Sequence, residues 1–243
     1  MDKIIKITLG IFIVLLVIFT AFTGYFWYVE STYRASLTST YSYTCTITTD
    51  SLLTNMTLFL PVPADRSGNS PVIGEFSAHR IQGIPYSWKT ELYDTGKATL
   101  VKITIPALVP PTGTSPEKPF SVTLYTNIPS KNLIDTKNPV ENSPMFRPVQ
   151  DPASTECTTG GSGGRCSTYK TTLYADYRTD PDATVTIASS LVARNEWKIF
   201  EPHENEYTTD ITALMSGDQN GWTTVNGYLE QGIGSYDAPT LRI

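Results

Sequence analysis

Between Ile7 and Val29 the chain runs for 23 residues without an Asp, Glu, Lys or Arg. As an α-helix this run is about 35 Å long at 1.5 Å per residue. A hydrocarbon core of about 30 Å takes roughly 20 apolar residues. The centre of the run, Ile11 to Phe19, has no polar side chain. Its far end, Tyr25, Phe26, Trp27 and Tyr28, is an aromatic group of the kind that settles at headgroup level. The run reads as an uncleaved transmembrane anchor rather than a secretory signal. It exceeds the h-region of about 7–15 residues, and it ends in aromatics where a signal peptide needs small residues. Lys3 and Lys6 precede it, and Glu30 and Arg34 follow. The positive-inside bias therefore places the N-terminus in the cytoplasm and the rest outside. The expected division is a cytoplasmic tail at 1–6, a transmembrane helix at 7–29, a stalk at 30–38 and an extracytoplasmic domain at 39–243.

Past the anchor the pattern has a period of two. Tyr41, Tyr43, Cys45 and Ile47 alternate with Ser42, Thr44, Thr46 and Thr48, a half-buried strand. Leu53 to Leu60 continues as a strand, stopped by Pro61 and Pro63, which lack the ladder donor. Ser87 to Tyr93 and Ala98 to Ile105 flank Asp94-Thr95-Gly96-Lys97, a hairpin signature. Further strands are expected at Phe120 to Ile128, Thr168 to Arg178, Thr184 to Val192, Glu196 to Phe200, Glu206 to Leu214 and Trp222 to Ile233. Residues 106–152 are rich in proline and read as extended connection without helix, either functional or wrapped over the core. No helical period with caps is visible after the anchor. About nine or ten short strands with regular turns indicate an all-β fold, an antiparallel, immunoglobulin-like β-sandwich.

Charged residues make up 17% of the chain and the net charge is −5, with no Lys/Arg cluster in the soluble part. Nucleic-acid binding is excluded on this ground, since phosphate contacts need clustered cations.

Three cysteines are present. Cys157 and Cys166 enclose a Gly-rich stretch, and outside the cytoplasm a disulfide is the natural reading. Closing so short a loop is worth a little under ~3 kcal/mol in the chain-entropy picture. The Gly-rich tip lacks the Lys-Ser/Thr of a phosphate loop. Cys45 lies in the apolar phase of its strand and reads as a buried free thiol. The histidines, His79 and His203, come without a nucleophile elbow. Glu201-Pro202-His203-Glu204 offers half of a zinc motif without its second His, so a solvated acidic loop is the better reading. Asp176, Asp180 and Asp182 lack the full spacing of a calcium loop. No catalytic residue, metal ligand or cofactor is assigned. Asn55-Met56-Thr57 is a glycosylation sequon, whereas Asn69 and Asn142 are each followed two positions on by Pro. Most of the Tyr and Trp residues are expected in the core or in cross-strand pairs. The remainder could line a carbohydrate or protein surface.

Two stretches carry a resemblance. They are Leu53 to Pro63, L-T-N-M-T-L-F-L-P-V-P, and the series Asn195-Glu196-Trp197-Lys198-Ile199-Phe200, Asn205-Glu206-Tyr207 and Gly221-Trp222-Thr223-Thr224-Val225-Asn226-Gly227. Together they resemble uncharacterised, N-terminally anchored, β-rich surface proteins of methanogenic archaea. The resemblance implies an archaeal cell envelope and no particular activity. The resulting expectation is a membrane-anchored, non-enzymatic interaction or structural protein of the envelope, with the lipid bilayer and an envelope protein or glycan as partners. The alternatives are an anchored hydrolase or metal-binding enzyme using His203 or the Asp176–Asp182 acids, and a component of a surface filament or its motor.

Overall fold

The computed structural model describes residues 2–96, 98–149, 152–157 and 164–236. The chain opens with one uninterrupted helix, α1 (Asp2–Ser36). Among the described residues it continues as β1 (Thr38–Thr49), β2 (Leu53–Pro61), α2 (Pro71–Ser77), β3 (Lys89–Asp94), β4 (Thr99–Leu108), β5 (Phe120–Ser130), α3 (Pro139–Asn142), β6 (Ala153–Thr155), β7 (Arg165–Arg178), β8 (Thr184–Ile199), β9 (Glu201–Ser216) and β10 (Gln219–Gly234).

All these strands pair antiparallel. Their order is β3-β4-β2-β7-β10-β9-β8-β1-β5, with β6 attached to β7. One continuous sheet curled into a half-barrel thus stands where two facing sheets of an immunoglobulin-like sandwich were expected. The strands are also longer than the sequence suggested. β8, β9 and β10 have 16 residues each, and β8 unites the two segments expected at 184–192 and 196–200. Each strand brings its own right-handed twist, which over such lengths coils a sheet instead of leaving it flat. Register shifts in β2 and β10 add local bends.

The alternation in each strand sorts side chains between the two faces. Tyr43, Cys45, Ile47, Leu58, Ile103, Leu173, Val185, Ile187, Leu191, Tyr207 and Ile211 are buried together on the concave side. That concavity is capped by chain from the connections. α2 contributes Val72 and Phe76, and the segments around it and around α3 add Ile81, Trp88, Ile134, Met145 and Phe146. The proline-rich connection is therefore a wrap over the core. Ala64 and Met145 form a short bridge that holds it against the end of β2.

α3 contradicts the expectation of no helix within 106–152, and α2 is a short helix in a stretch where no helical period was visible. In α2 the Ser70 hydroxyl accepts from the Val72 and Ile73 amides and Pro71 occupies the first turn, a capped start that favours helix. With seven residues in α2 and four in α3, neither is long enough to display a helical period.

The sheet has two edges, β3 and β5, that do not pair with each other. α2 packs against both. Beyond it, Gln82 and Tyr125 exchange backbone hydrogen bonds at 2.9 and 3.0 Å, which covers part of the β5 edge. This close approach depends on Gly83. It sits at φ +80, and a Cβ there would run into the Thr123 carbonyl oxygen. Covering an edge in this way removes a template for pairing with other chains.

We expect Gly83→Ala to lower unfolding free energy by at least about 1–2 kcal/mol from the left-handed backbone alone. Hydrogen exchange should speed up at Gln82 and along β5 while β9 and β10 keep their protection. Equal protection of β5 in both proteins would rule out this role for Gly83.

Candidate interaction surface

α1 meets the sheet at the end of β8, and this contact defines the α1 end of the domain. Lys198 donates its amide to Ser36 Oγ at 2.9 Å, and Ser36 Oγ lies 3.2 Å from the Lys198 carbonyl. Two residues later, Thr38 pairs with Glu196. Val29 and Tyr33 are buried, with Tyr33 edge-on to Trp197 at 5.9 Å, and Trp197 is stacked on His203 at 5.8 Å. Of the stalk expected at 30–38, residues 30–36 are the last two turns of α1 and Thr38 already opens β1.

On the convex face, away from this junction, an aromatic row crosses the sheet. Cross-strand partners in register are Glu91 with Lys102, Lys102 with Phe59, Phe59 with Tyr174, and Tyr174 with Trp222. The Phe59 and Tyr174 rings lie 5.4 Å apart and the Tyr174 and Trp222 rings 5.6 Å apart, each pair edge-to-face. Tyr93 joins from β3 at 5.1 Å from Phe59. Such geometries are favoured by the ring quadrupoles. The row is open to solvent at both ends, with Tyr93 50% and Trp222 57% exposed. Polar rows flank it. Lys89, Thr104, Thr57, Asp176 and Asn220 run along one side, and Thr172 and Thr224 lie on the other. Glu91 and Lys102 form an ion pair at 3.5 Å at its edge.

Cross-strand aromatic pairs and a remainder on the surface were expected, but these residues were not singled out. The signal was present in strand phase. Phe59 is out of step with buried Leu58 and Leu60, Tyr174 with Leu173 and Ala175, and Trp222 with Val225.

At the α1 end, a buried polar network ties the connection after β5 to the sheet. Asn195 Nδ2 donates to the Ile134 carbonyl (2.9 Å) and to Asn205 Oδ1 (2.8 Å). Asn195 Oδ1 accepts from the Ile134 amide (3.1 Å) and from Ser39 Oγ (2.6 Å). Thr136 Oγ1 donates to Asn205 Oδ1 at 2.7 Å, and Asn205 Nδ2 donates to the Ser235 carbonyl at 3.1 Å. A cavity of about 290 Å3 adjoins this network, with Asp135, Lys137, Asn138 and Tyr236 in its wall. The donors and acceptors of both asparagine side chains are used within the network, which suits a structural clamp.

The remaining candidates fall as follows. Cys157 and Cys166 form a disulfide with a Cα separation of 5.2 Å; the Gly-rich stretch between them, 158–163, lies outside the described residues. Cys45 is fully buried and free, and burial pushes its thiol up to about 11. Asn55 is exposed at the register shift of β2, with φ +53. Tyr25, Phe26, Trp27 and Tyr28 are all exposed on α1. His79 follows α2 at the surface, whereas His203 is in β9 at the α1 end, in a cavity wall that does not include His79. Asp176 is on the convex face of β7, and Asp180 and Asp182 are in the turn before β8. Among the described residues, the one group of three potential metal ligands is Cys157, Cys166 and Glu230. Its two sulfurs are joined to each other and are not thiolates, the form that binds metal.

No family model, no curated protein and no solved structure matches this chain.

Two outcomes follow from this geometry. Asn195→Ala leaves the Ile134 amide and carbonyl without their side-chain partner in a buried site. It should cost roughly 2–4 kcal/mol, at about 1–3 kcal/mol per unsatisfied group, measured as a shift in denaturant midpoint; an unshifted midpoint refutes the clamp. Cys45 should resist alkylation in the native protein and react only in denaturant, read as one mass adduct per chain.

Proposed function

We propose that this chain is a membrane-anchored interaction protein of the cell envelope, of the archaeal type that its sequence resembles. In this reading α1 crosses the membrane with its N-terminus in the cytoplasm and holds the β-domain outside. α1 is the one described helix long and apolar enough to span a bilayer. The Cys157–Cys166 disulfide suits an oxidising exterior.

The observation that carries the interaction reading is the exposed row Tyr93–Phe59–Tyr174–Trp222. An apolar row left in water on the convex face costs free energy that burial against a partner recovers. Aromatic side chains are enriched where partners dock, because they bury much area with few rotatable bonds. The row is bordered by hydroxyls, amides and carboxylates, so a partner gains apolar contact along the rings and hydrogen bonds at the flanks. Both an envelope protein and a glycan offer that combination. The direct passage from α1 into β1 fixes this face relative to the anchor, which suits presentation to a neighbour in the envelope.

Cross-linking of the full-length protein in native membranes, with captured species identified by mass spectrometry, tests this reading. Wild type should capture an envelope component reproducibly. Trp222→Ala combined with Tyr93→Ala should lose that capture, while stability changes little because both side chains are half in water. Enzymatic removal of envelope glycans beforehand separates the partner classes: loss of capture marks a glycan, retention a protein. Undiminished capture by the double variant would rule out the aromatic row as the docking face.

A further inference from the structure

The reversal between β8 and β9 is made at Phe200, and two features of this residue are costly in water. Its backbone is left-handed, at φ +62, where the Cβ of a non-glycine residue crowds the following carbonyl oxygen. Its side chain is 65% exposed, although a turn tip is ordinarily a place for small or polar residues. Gly or Asn at this position would avoid both costs. Their coincidence at one residue calls for something that the large apolar ring gains in place.

Its neighbour supplies the answer. The Phe200 ring lies 6.4 Å from the ring of Tyr28, the last member of the aromatic group on α1. The Ser36–Lys198 hydrogen bonds and the buried Val29 and Tyr33 hold the β8–β9 tip alongside the helix at this level. The tip therefore shares the depth of the headgroup belt marked by Tyr25 to Tyr28. Aromatic rings are favoured at that depth, and Lys198, exposed beside the tip, can extend its ammonium to the aqueous side of the interface.

We infer that Phe200 is a second membrane contact. The β8–β9 tip dips into the headgroup–acyl boundary next to α1, so that the domain rests on the bilayer at two points. The partner is the lipid surface itself. This inference rests on the reading of α1 as a membrane anchor. With two points of contact the domain does not tip relative to the membrane plane, and the aromatic row keeps a fixed inclination to it.

The test uses the full-length protein reconstituted in phospholipid nanodiscs that carry a lipid photoreactive at the headgroup–acyl boundary. Adducts are mapped by mass spectrometry. Wild type should be labelled on α1 near Tyr28 and on the β8–β9 tip, while Leu214, 72% exposed on β9 toward the opposite end, stays at background. Phe200→Gly is the matched variant, because glycine accepts the left-handed backbone and the hairpin keeps its shape. In it, labelling of the tip should fall to background while labelling of α1 is unchanged. Labelling of α1 without the tip in wild type overturns the inference and leaves the anchor standing. Equal labelling of the tip in both proteins also overturns it, since Phe200 would then not be the contact. Absence of label from α1 overturns the anchor and the inference with it.

Discussion

An open sheet with an apolar concave face must have that face covered, and most of the architecture answers to this constraint. The strand order ends at β3 and β5, which do not meet. Without the chain that lies across the opening, Ile47, Leu58, Ile103, Leu173 and Ile187 would line a trough open to water. Burial of apolar surface is worth about 25 cal/mol per Å2, so the drive to close the trough is large. The connections supply what the strands lack. α2 spans the gap between the edges, and the proline-rich segment sets Ile134, Met145 and Phe146 into the core. Proline suits such a wrap, because its restricted φ lowers the entropy lost when a connection is ordered.

A wrap of this kind still has to satisfy its own backbone polar groups. Asn195 does so for Ile134 by offering a side-chain amide that bonds both its amide and its carbonyl. Tyr207 does so near α3, donating its hydroxyl to the Pro144 carbonyl at 2.6 Å. Gly227 serves the same packing from the sheet side, where a Cβ would collide with the buried Tyr169 ring. Several residues in the two stretches Leu53 to Pro63 and Asn195 to Gly227 are thus architectural. Asn195, Asn205, Tyr207 and Gly227 secure the wrap and the core, whereas Trp222 is on the surface.

The junction with α1 gives the domain a defined attitude. A helix that ends in a flexible stalk leaves its cargo free to turn. Here the last two helical turns are packed against Trp197, and Ser36 is bonded to the Lys198 backbone like an added rung of the ladder. Under the membrane reading, one end of the sheet and the β8–β9 tip face the lipid, and the aromatic row faces outward from the convex side. The histidines and the Asp176–Asp182 acids, by contrast, are distributed over separate elements. Catalysis needs such groups to converge on one reacting centre, and recognition by a surface has no such requirement.

Much of this was legible in the residue order, because local rules decide it. The length and purity of the Ile7–Val29 run, the period of two from Tyr41 onward, the burial of Cys45 and the pairing of Cys157 with Cys166 each depend on neighbours in sequence or on the oxidation state of a compartment. The two short helices were hidden because four or seven residues cannot show a period, and the stalk because Glu30 to Ser36 carries too few apolar side chains to mark a buried helical face. What only the tertiary structure decided was the choice between two facing sheets and one curled sheet, together with the surfaces that follow from it. Alternation along a strand says which side chains share a face, but not what that face packs against. The row of Tyr93, Phe59, Tyr174 and Trp222 is assembled from four strands distant in sequence, and the meeting of Phe200 with Tyr28 joins positions 172 residues apart. Contacts of that span exist only once the long strands have coiled and the register is set.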